Sequence, residues 1–270
     1  MLDYLSSIFS LTVMRYALIV GIPISLCAAL LGVLLVLRRY AMIGDGLSHV
    51  GFGALSVAYA LGFAPMAVAV PVVILTAFLL LGLSESTKIR GDSAIAVLSS
   101  SALAIGVVAN SLAGGSATDL NGYLFGSILT LTQSDVILSV ILSAVVILLF
   151  VLFKNRIFAV TFDMPFAKSA GVHVRLYNGL LALLIAVTVV VGMRIVGTML
   201  ISSLIIFPAL GAMRLAGSFR GVVILSAAIS VVSFLCGLLL STALPAGATI
   251  VLCNLASLLV CTLLGKAVKQ

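Results

Sequence analysis

Apolar residues in this chain occur in long, nearly unbroken runs instead of the three-to-four-residue spacing of a half-buried helix. A window of about twenty residues, the length of helix that crosses a bilayer, divides these runs into candidate membrane spans. Nine spans are predicted, at residues 16–37, 41–63, 64–83, 94–113, 134–153, 176–193, 195–213, 221–241 and 245–265. The connections near Phe63 and Arg194 would be very short, so eight helices and one partial segment remain an alternative.

The runs favour helices over a membrane barrel. A barrel strand alternates apolar and polar residues over about ten positions, whereas these runs are continuous and rich in Leu, Ala, Val and Ile. A helix also satisfies its own backbone hydrogen bonds within lipid. The predicted fold class is therefore an all-α, polytopic transmembrane helix bundle. No linker divides residues 1–270, so a single transmembrane domain is predicted.

Composition excludes a water-soluble protein. Hydrophobic residues make up 63% of the 270 residues and charged residues 8%, and the mean hydropathy is +1.41. A soluble domain carries about 25% charged residues. The net charge of +7 comes from scattered basic residues, so nucleic acid is not a predicted partner. Membrane lipid is the predicted partner of the apolar surface. The cysteines show no spacing typical of a disulfide framework or a zinc knuckle.

Basic residues predict the orientation of the bundle. With the N-terminus outside and the C-terminus inside, nine spans put twelve of the 14 basic residues in cytoplasmic segments. These are Arg38, Arg39, Lys88, Arg90, Lys154, Arg156, Lys168, Arg175, Arg214, Arg220, Lys266 and Lys269. Only Arg15 and Arg194 then lie outside. Such a positive-inside asymmetry favours this orientation over the reverse.

Two ionisable side chains fall inside the second predicted span. Asp45 and His49 are four residues apart and therefore share one helical face. A carboxylate in a bilayer costs about 2.5–3.5 kcal/mol on insertion scales, a cost usually tolerated for function or for a paired contact. Carboxylate oxygen and imidazole nitrogen together suit Zn²⁺ or Mn²⁺, and a second copy of the chain would supply four ligands. Alternatively, Asp45 is a first-turn acid that His49 simply contacts.

Other polar positions have more ordinary interpretations. Asn110, Ser202 and Ser203 are typical of contacts between membrane helices. Pro208 removes a backbone hydrogen bond within its span, so a kink is predicted there. A proline following an acidic residue in Phe162–Lys168 predicts a short interfacial helix in the longest cytoplasmic segment.

Five strings in this order resemble the ZnuB-like permeases of metal-importing ABC transporters, the class that handles zinc and manganese. They are Ile43-Gly44-Asp45-Gly46-Leu47-Ser48-His49; Tyr123-Leu124-Phe125-Gly126-Ser127-Ile128-Leu129; Phe162-Asp163-Met164-Pro165-Phe166-Ala167 with Gly171; Val196-Gly197-Thr198-Met199-Leu200-Ile201 running to Pro208-Ala209; and Pro245-Ala246-Gly247-Ala248-Thr249-Ile250-Val251-Leu252. One departure is Leu210-Gly211 after Pro208-Ala209, where the family usually has Ala-Thr.

The resemblance implies a permease in the bacterial cell membrane that imports a divalent metal ion as its substrate. It implies a homodimeric core, two cytoplasmic ATP-binding subunits and an extracytoplasmic metal-binding protein. Asp45 and His49 correspond to the family's metal-pathway residues. Phe162, Asp163, Phe166, Ala167 and Gly171 correspond to the element that contacts the ATPase.

The sequence identifies the class of transporter more precisely than it identifies the metal ion transported. Histidine favours zinc, with manganese next, and no permanently bound cofactor is expected. The chain has no G-x-x-x-x-G-K-[ST] sequence, so it is predicted to be a transport subunit without an ATPase site of its own. A permease for a vitamin or siderophore complex and an ion-coupled secondary transporter are the alternatives. An intramembrane aspartyl protease would need a second aspartate within the spans.

Overall fold

The computed structural model of the chain describes residues 12–86, 91–114, 126, 133–241 and 245–268. Within these ranges ten helices are present and no strand, so the predicted all-α class is confirmed. The helices are α1 (Thr12–Leu37), α2 (Ile43–Ala60), α3 (Pro65–Ser86), α4 (Gly91–Leu112), α5 (Gln133–Phe162), α6 (Met164–Ser169), α7 (Val174–Val196), α8 (Thr198–Leu215), α9 (Phe219–Leu240) and α10 (Ala246–Val268).

Seven of the described helices, α1, α3, α4, α5, α7, α9 and α10, are long and apolar enough to cross a membrane. The two other predicted spans form α2 and α8, each of 18 residues. At 1.5 Å per residue each is about 27 Å long, slightly less than a typical hydrocarbon core. All nine predicted segments are therefore helical, while the number that cross the bilayer stays a prediction.

Helices α1 and α7 form the centre of the bundle. Of the residues in their apolar stretches, 67% and 72% are buried, against 17% in α4 and 28% in α3, α5 and α10. Small residues bring the helix axes close to α1. A Cβ on Gly32 would clash with the backbone carbonyl of Ile205 in α8, and Ser230 of α9 donates a hydrogen bond to the carbonyl of Ser25 at 3.0 Å. The outer helices present their apolar side chains to lipid.

Helix α5 is longer than the sequence indicates. The apolar run ends near residue 153, but the helix continues to Phe162 through Lys154 and Arg156. Its 30 residues span about 45 Å, which exceeds the hydrocarbon thickness by about 15 Å. Hydropathy marks where a helix leaves the apolar layer and carries no information on where its hydrogen bonding stops.

A single residue, Gly197, separates α7 from α8. Its φ of 94° lies in the region that favours glycine, and its amide donates to the carbonyl of Met193 at 3.1 Å. The predicted short connection near Arg194 therefore falls three residues later. Gly126, at φ 75°, packs so closely on the backbone of Val196 that a Cβ there would clash. The rest of the Tyr123–Leu129 string lies outside the described residues.

Candidate metal-pathway site

Asp45 and His49 lie in the first two turns of α2. The helix begins at Ile43 after Met42, whose side chain makes no capping hydrogen bond, and Asp45 is in the first turn. Nε2 of His49 lies 3.5 Å from Oδ2 of Asp45, as the four-residue spacing predicts. The prediction that Asp45 lies in the first turn of its helix is therefore correct. From that turn its carboxylate contacts side chains of the bundle.

The pair occupies the only accessible face of this part of α2. Among residues 43–50, Asp45 and His49 are half-buried, and the other six are buried. Their side chains are 32% and 15% exposed respectively. A solvent-facing salt bridge would be more exposed, and a structural core pair would be fully covered. The pair is therefore neither part of the closed core nor on the open surface.

The opposite faces of α2 are packed through glycine. A Cβ on Gly44 would lie 2.7 Å from Cδ1 of Ile205, and one on Gly46 would lie 2.6 Å from Cγ2 of Ile95 in α4. Further along, a Cβ on Gly53 would lie 2.5 Å from the carbonyl oxygen of Ala102. These close approaches fix the rotation of α2 about its axis and hence the direction of its two polar side chains.

Ser202 of α8 is a third member of the site. Its hydroxyl donates to Oδ1 of Asp45 at 3.1 Å, leaving the Oδ2 atom to face His49. The neighbouring Ser203 instead donates to the carbonyl of Leu200 in its own helix, at 2.8 Å. The sequence suggested that both serines join helices. Of the two, only Ser202 bonds to Asp45. The rotation of α8 about its axis brings Ser202, and not Ser203, to this carboxylate.

The two ligand atoms have a separation suited to one metal ion. Bonds of about 2.0–2.2 Å at a tetrahedral angle put neighbouring ligands about 3.4 Å apart, and Nε2 and Oδ2 are 3.5 Å apart. The other ring nitrogen of His49, Nδ1, is buried and makes no hydrogen bond within the described part of the chain. No group of three or more His, Cys, Asp or Glu side chains occurs among the described residues, so Asp45 and His49 stand as a pair.

Helix α8 continues the accessible face away from the pair. Ser202, Ile206, Leu210 and Met213 are all half-buried and follow one another at helical spacing. Ile205, Ala209 and Ala212 on the other face are buried. Pro208 is inside α8, which continues to Leu215, and the predicted kink remains a prediction. The site is therefore the polar start of a half-covered, largely apolar strip.

The short helix predicted in the long cytoplasmic segment is present as α6. Asp163 caps it by accepting a hydrogen bond from the amide of Phe166 at 2.9 Å, and Pro165 occupies its first turn. Ala167 is fully buried, whereas Phe162 and Phe166 are 56% and 63% exposed. Gly171, at φ 77°, turns the chain after the helix. The five predicted ATPase-contact residues thus form one compact element with two exposed aromatic side chains among polar ones.

Arg38, the residue after α1, connects α5 and α7 close to this element. Its Nε donates to the hydroxyl of Thr161 at 3.1 Å and its Nη1 to the side-chain oxygen of Asn178 at 2.8 Å. Arg156 similarly donates to the hydroxyl of Tyr177 at 2.7 Å. In the sequence these two arginines predict only the orientation of the bundle in the membrane. Their contacts join α1, α5 and α7 beside α6.

Residues 10–265 match the ABC 3 transport family. The chain belongs to this family. The predicted resemblance is confirmed, as is the predicted multi-pass location in a bacterial cell membrane, on the family match together with the seven apolar helices.

Relatives across the same length carry transport names. The chain is 30% identical over 252 residues to the manganese import system permease protein ScaB of Streptococcus gordonii, covering 93% of this chain and 90% of ScaB. It is 31% identical over 240 residues to the high-affinity zinc uptake system membrane protein ZnuB of Haemophilus influenzae, covering 88% and 92%. The structure of PsaBC from Streptococcus pneumoniae in complex with Fab matches with a TM-score of 0.84 and 29% identity, covering 96% of this chain and 94% of that one.

Proposed function

We propose that this chain is the permease subunit of an ATP-driven importer that moves Zn²⁺ or Mn²⁺ into the cytoplasm. The observation that carries the proposal is the Asp45–His49 pair, half-buried on the accessible face of α2 with ligand atoms 3.5 Å apart. A family of transport proteins, with relatives named for manganese and for zinc, supports the same substrate class.

The substrate ion would be held between two copies of the chain. One chain offers one carboxylate and one imidazole, and a tetrahedral ion takes four ligands. A twofold axis beside the accessible faces of α2 and α8 would supply the same residues twice. The half-buried strip from Ser202 to Met213 supports this arrangement, because it adjoins the pair and leaves that side of α8 open to a second copy.

Energy would come from ATP-binding partner subunits docked on α6. Exposed Phe162 and Phe166 provide aromatic anchors of the kind that dominate protein interfaces, and Asp163 holds the helix that presents them. An extracytoplasmic metal-binding protein would deliver the ion at the other end. Closure of the ATPase pair would move α6 and with it the adjoining end of α5, which the bonds of Arg38 join to the ends of α1 and α7.

The preference between the two metals is a finer question. Imidazole favours zinc, which the sequence alone suggested, whereas a carboxylate serves either ion. A direct test is competition in whole cells. Uptake of a radioactive zinc tracer that withstands a tenfold excess of manganese would establish zinc, and uptake of a radioactive manganese tracer that withstands a tenfold excess of zinc would establish manganese.

The site itself is tested by alanine substitution. Asp45→Ala and His49→Ala should each abolish metal uptake, while His173→Ala should have no effect because His173 is an exposed residue at the start of α7. The transporter is reconstituted with its ATPase, and both uptake and ATP hydrolysis are measured. Normal metal uptake by the Asp45→Ala, His49→Ala double variant would overturn the proposal.

Orientation forms a separate part of the proposal, with the N-terminus outside and the C-terminus inside. Single cysteines placed at Tyr59 and Lys266 on a cysteine-free background would report the two sides. An impermeant thiol reagent added outside should label the first and not the second. Any other labelling pattern would contradict this orientation.

A further inference from the structure

A groove with two cations lies between α5 and the start of α9. It encloses about 640 Å³, within the range of small-molecule sites. Its polar lining consists of Lys154, Asn155, Ser218 and Arg220. Lys154 and Arg220 are exposed, and neither is a residue that the proposed metal route or ATPase contact uses. The groove is thus a positively charged site, separate from Asp45 and His49.

All four polar groups offer hydrogen-bond donors. Lys154 and Arg220 contribute an ammonium and a guanidinium, and Asn155 contributes its amide. The Ser218 oxygen already accepts from the amide of Gly221 at 3.2 Å, so its hydroxyl hydrogen is directed elsewhere. No carboxylate is among the residues that line the groove. Such a set matches a phosphate group, which presents only acceptors and negative charge.

The remaining lining is apolar, and three of its members, Phe150, Val223 and Ile224, lie on the membrane side of the cations. Phe150 is four residues before Lys154, and Ile224 is four residues after Arg220, so each is one helical turn nearer the middle of its helix. Phe150 is buried, whereas Ile224 is 69% exposed and open to an occupant. On this side of the cations the groove changes from cationic to apolar toward the middle of both helices.

An aromatic cluster borders the groove on the side of α6. The ring of Phe158 lies 4.3 Å from that of Phe162 and 4.4 Å from that of Phe219, measured between centroids. Phe158 and Phe219 also line the groove, whereas Phe162 belongs to the proposed ATPase contact. An occupant of the groove would therefore lie against the same aromatic side chains that support α6.

We propose that this groove binds an anionic phospholipid, with its phosphate at Lys154 and Arg220 and its acyl chains along Val223 and Ile224. A soluble phosphate would use only the polar half, and a zwitterionic lipid would bring its own cation toward the two in the groove. Basic pockets between membrane helices on the cytoplasmic side recognise anionic headgroups by the same chemistry. The site is independent of the metal proposal, since it shares no residue with it.

Native mass spectrometry of the assembled transporter tests the proposal. The complex, purified with its ATPase in mild detergent, is titrated with phosphatidylglycerol or with phosphatidylcholine of identical acyl chains. We expect phosphatidylglycerol to be retained and phosphatidylcholine to be lost. The variant K154Q/R220Q should weaken phosphatidylglycerol retention about 10- to 30-fold, because each substitution removes the attraction of one basic residue for the headgroup.

Matched controls separate this site from general surface charge. The variant R214Q/K266Q removes two exposed cations that lie together at the neighbouring ends of α8 and α10, and it should retain lipid as the parent does. Equal retention by the parent and K154Q/R220Q would overturn the proposal. Equal losses in the two double variants would overturn it as well, because charge alone would then explain binding.

The apolar half is tested by I224S, with V232S as its control on the same helix. Both side chains are exposed, at 69% and 59%, so neither change disturbs the core. Only I224S should lower lipid retention. Glycerol phosphate at the same concentration should not displace the lipid. Displacement by it, or retention only after the ATPase has been removed, would show a soluble-phosphate site or an ATPase contact and would refute the lipid.

Discussion

The site on α2 and the short helix α6 are exceptional in opposite ways. In the first, ionisable side chains are held half-buried among apolar helices; in the second, aromatic side chains are held exposed beside charged ones. Each arrangement is unfavourable for folding alone, and each is built by specific local contacts. In the proposed function the half-buried polar pair contacts the ion, and the exposed aromatic pair contacts the ATPase.

The comparison is tested most severely by removing a proposed ligand. Asp45→Ala or His49→Ala should reduce metal uptake at least about 100-fold, because loss of a ligand costs more than loss of a supporting group. ATP hydrolysis by the assembled complex should persist, since α6 is unchanged. Loss of assembly instead of uptake would show that the pair is structural and that the two regions do not differ as described.

The converse substitution addresses the exposed aromatic. Phe166→Ala should lower uptake and metal-stimulated ATP hydrolysis together by about 30-fold, the effect of losing one interface anchor. Metal binding to the permease should be retained. Tyr59→Ala is the control, because Tyr59 is 56% exposed at the other end of α2 from the site. Undiminished ATPase association of Phe166→Ala would remove α6 from the proposed coupling.

Ser202 sharpens the comparison on the polar side. Ser202→Ala removes the hydrogen bond to Oδ1 of Asp45 and should weaken metal uptake about tenfold, as for other groups that orient a ligand. Ser203→Ala, one residue away, breaks only a bond within α8 and should leave uptake unchanged. Equal effects of the two substitutions would mean that the helix, and not the carboxylate contact, matters.

Acidity should give the smallest effect. A metal-binding imidazole must be neutral and a metal-binding carboxylate ionised, so protons compete with the ion and uptake falls as pH decreases. Between pH 7.5 and 5.5 we expect uptake to decrease about three- to tenfold, because protons compete with the ion for both side chains. ATP hydrolysis is measured in parallel. Uptake that is flat over this interval would contradict imidazole ligation.

The sequence was informative where a single residue type determines the outcome. Proline after aspartate predicted α6, and the four-residue spacing of Asp45 and His49 predicted their contact. It was less informative about tertiary register. That Ser202 and not Ser203 meets Asp45 depends on how α8 is rotated against α2, and Gly44 fixes this through its contact with Ile205. No local signal encodes such a rotation.

Lengths were also less predictable than positions. Hydropathy located the start of α5 to within one residue but ended it nine residues early, because Lys154 and Arg156 leave the apolar layer without breaking the helix. The same limitation hides the groove proposed to bind lipid. Arg220 and Lys154 are 66 positions apart in the chain, and only the packing of α9 beside α5 brings them together.

If α8 tilts as a rigid helix about Gly197, residues near Gly197 move little and residues at the far end move most. Ser202 is five residues beyond it, about 7.5 Å away, while Leu215 is about 27 Å away. A tilt of about 10° at the joint would therefore shift the serine by only about 1 Å and the far tip by nearly 5 Å. The carboxylate could keep its partner during a swing wide enough to open or shut a passage below.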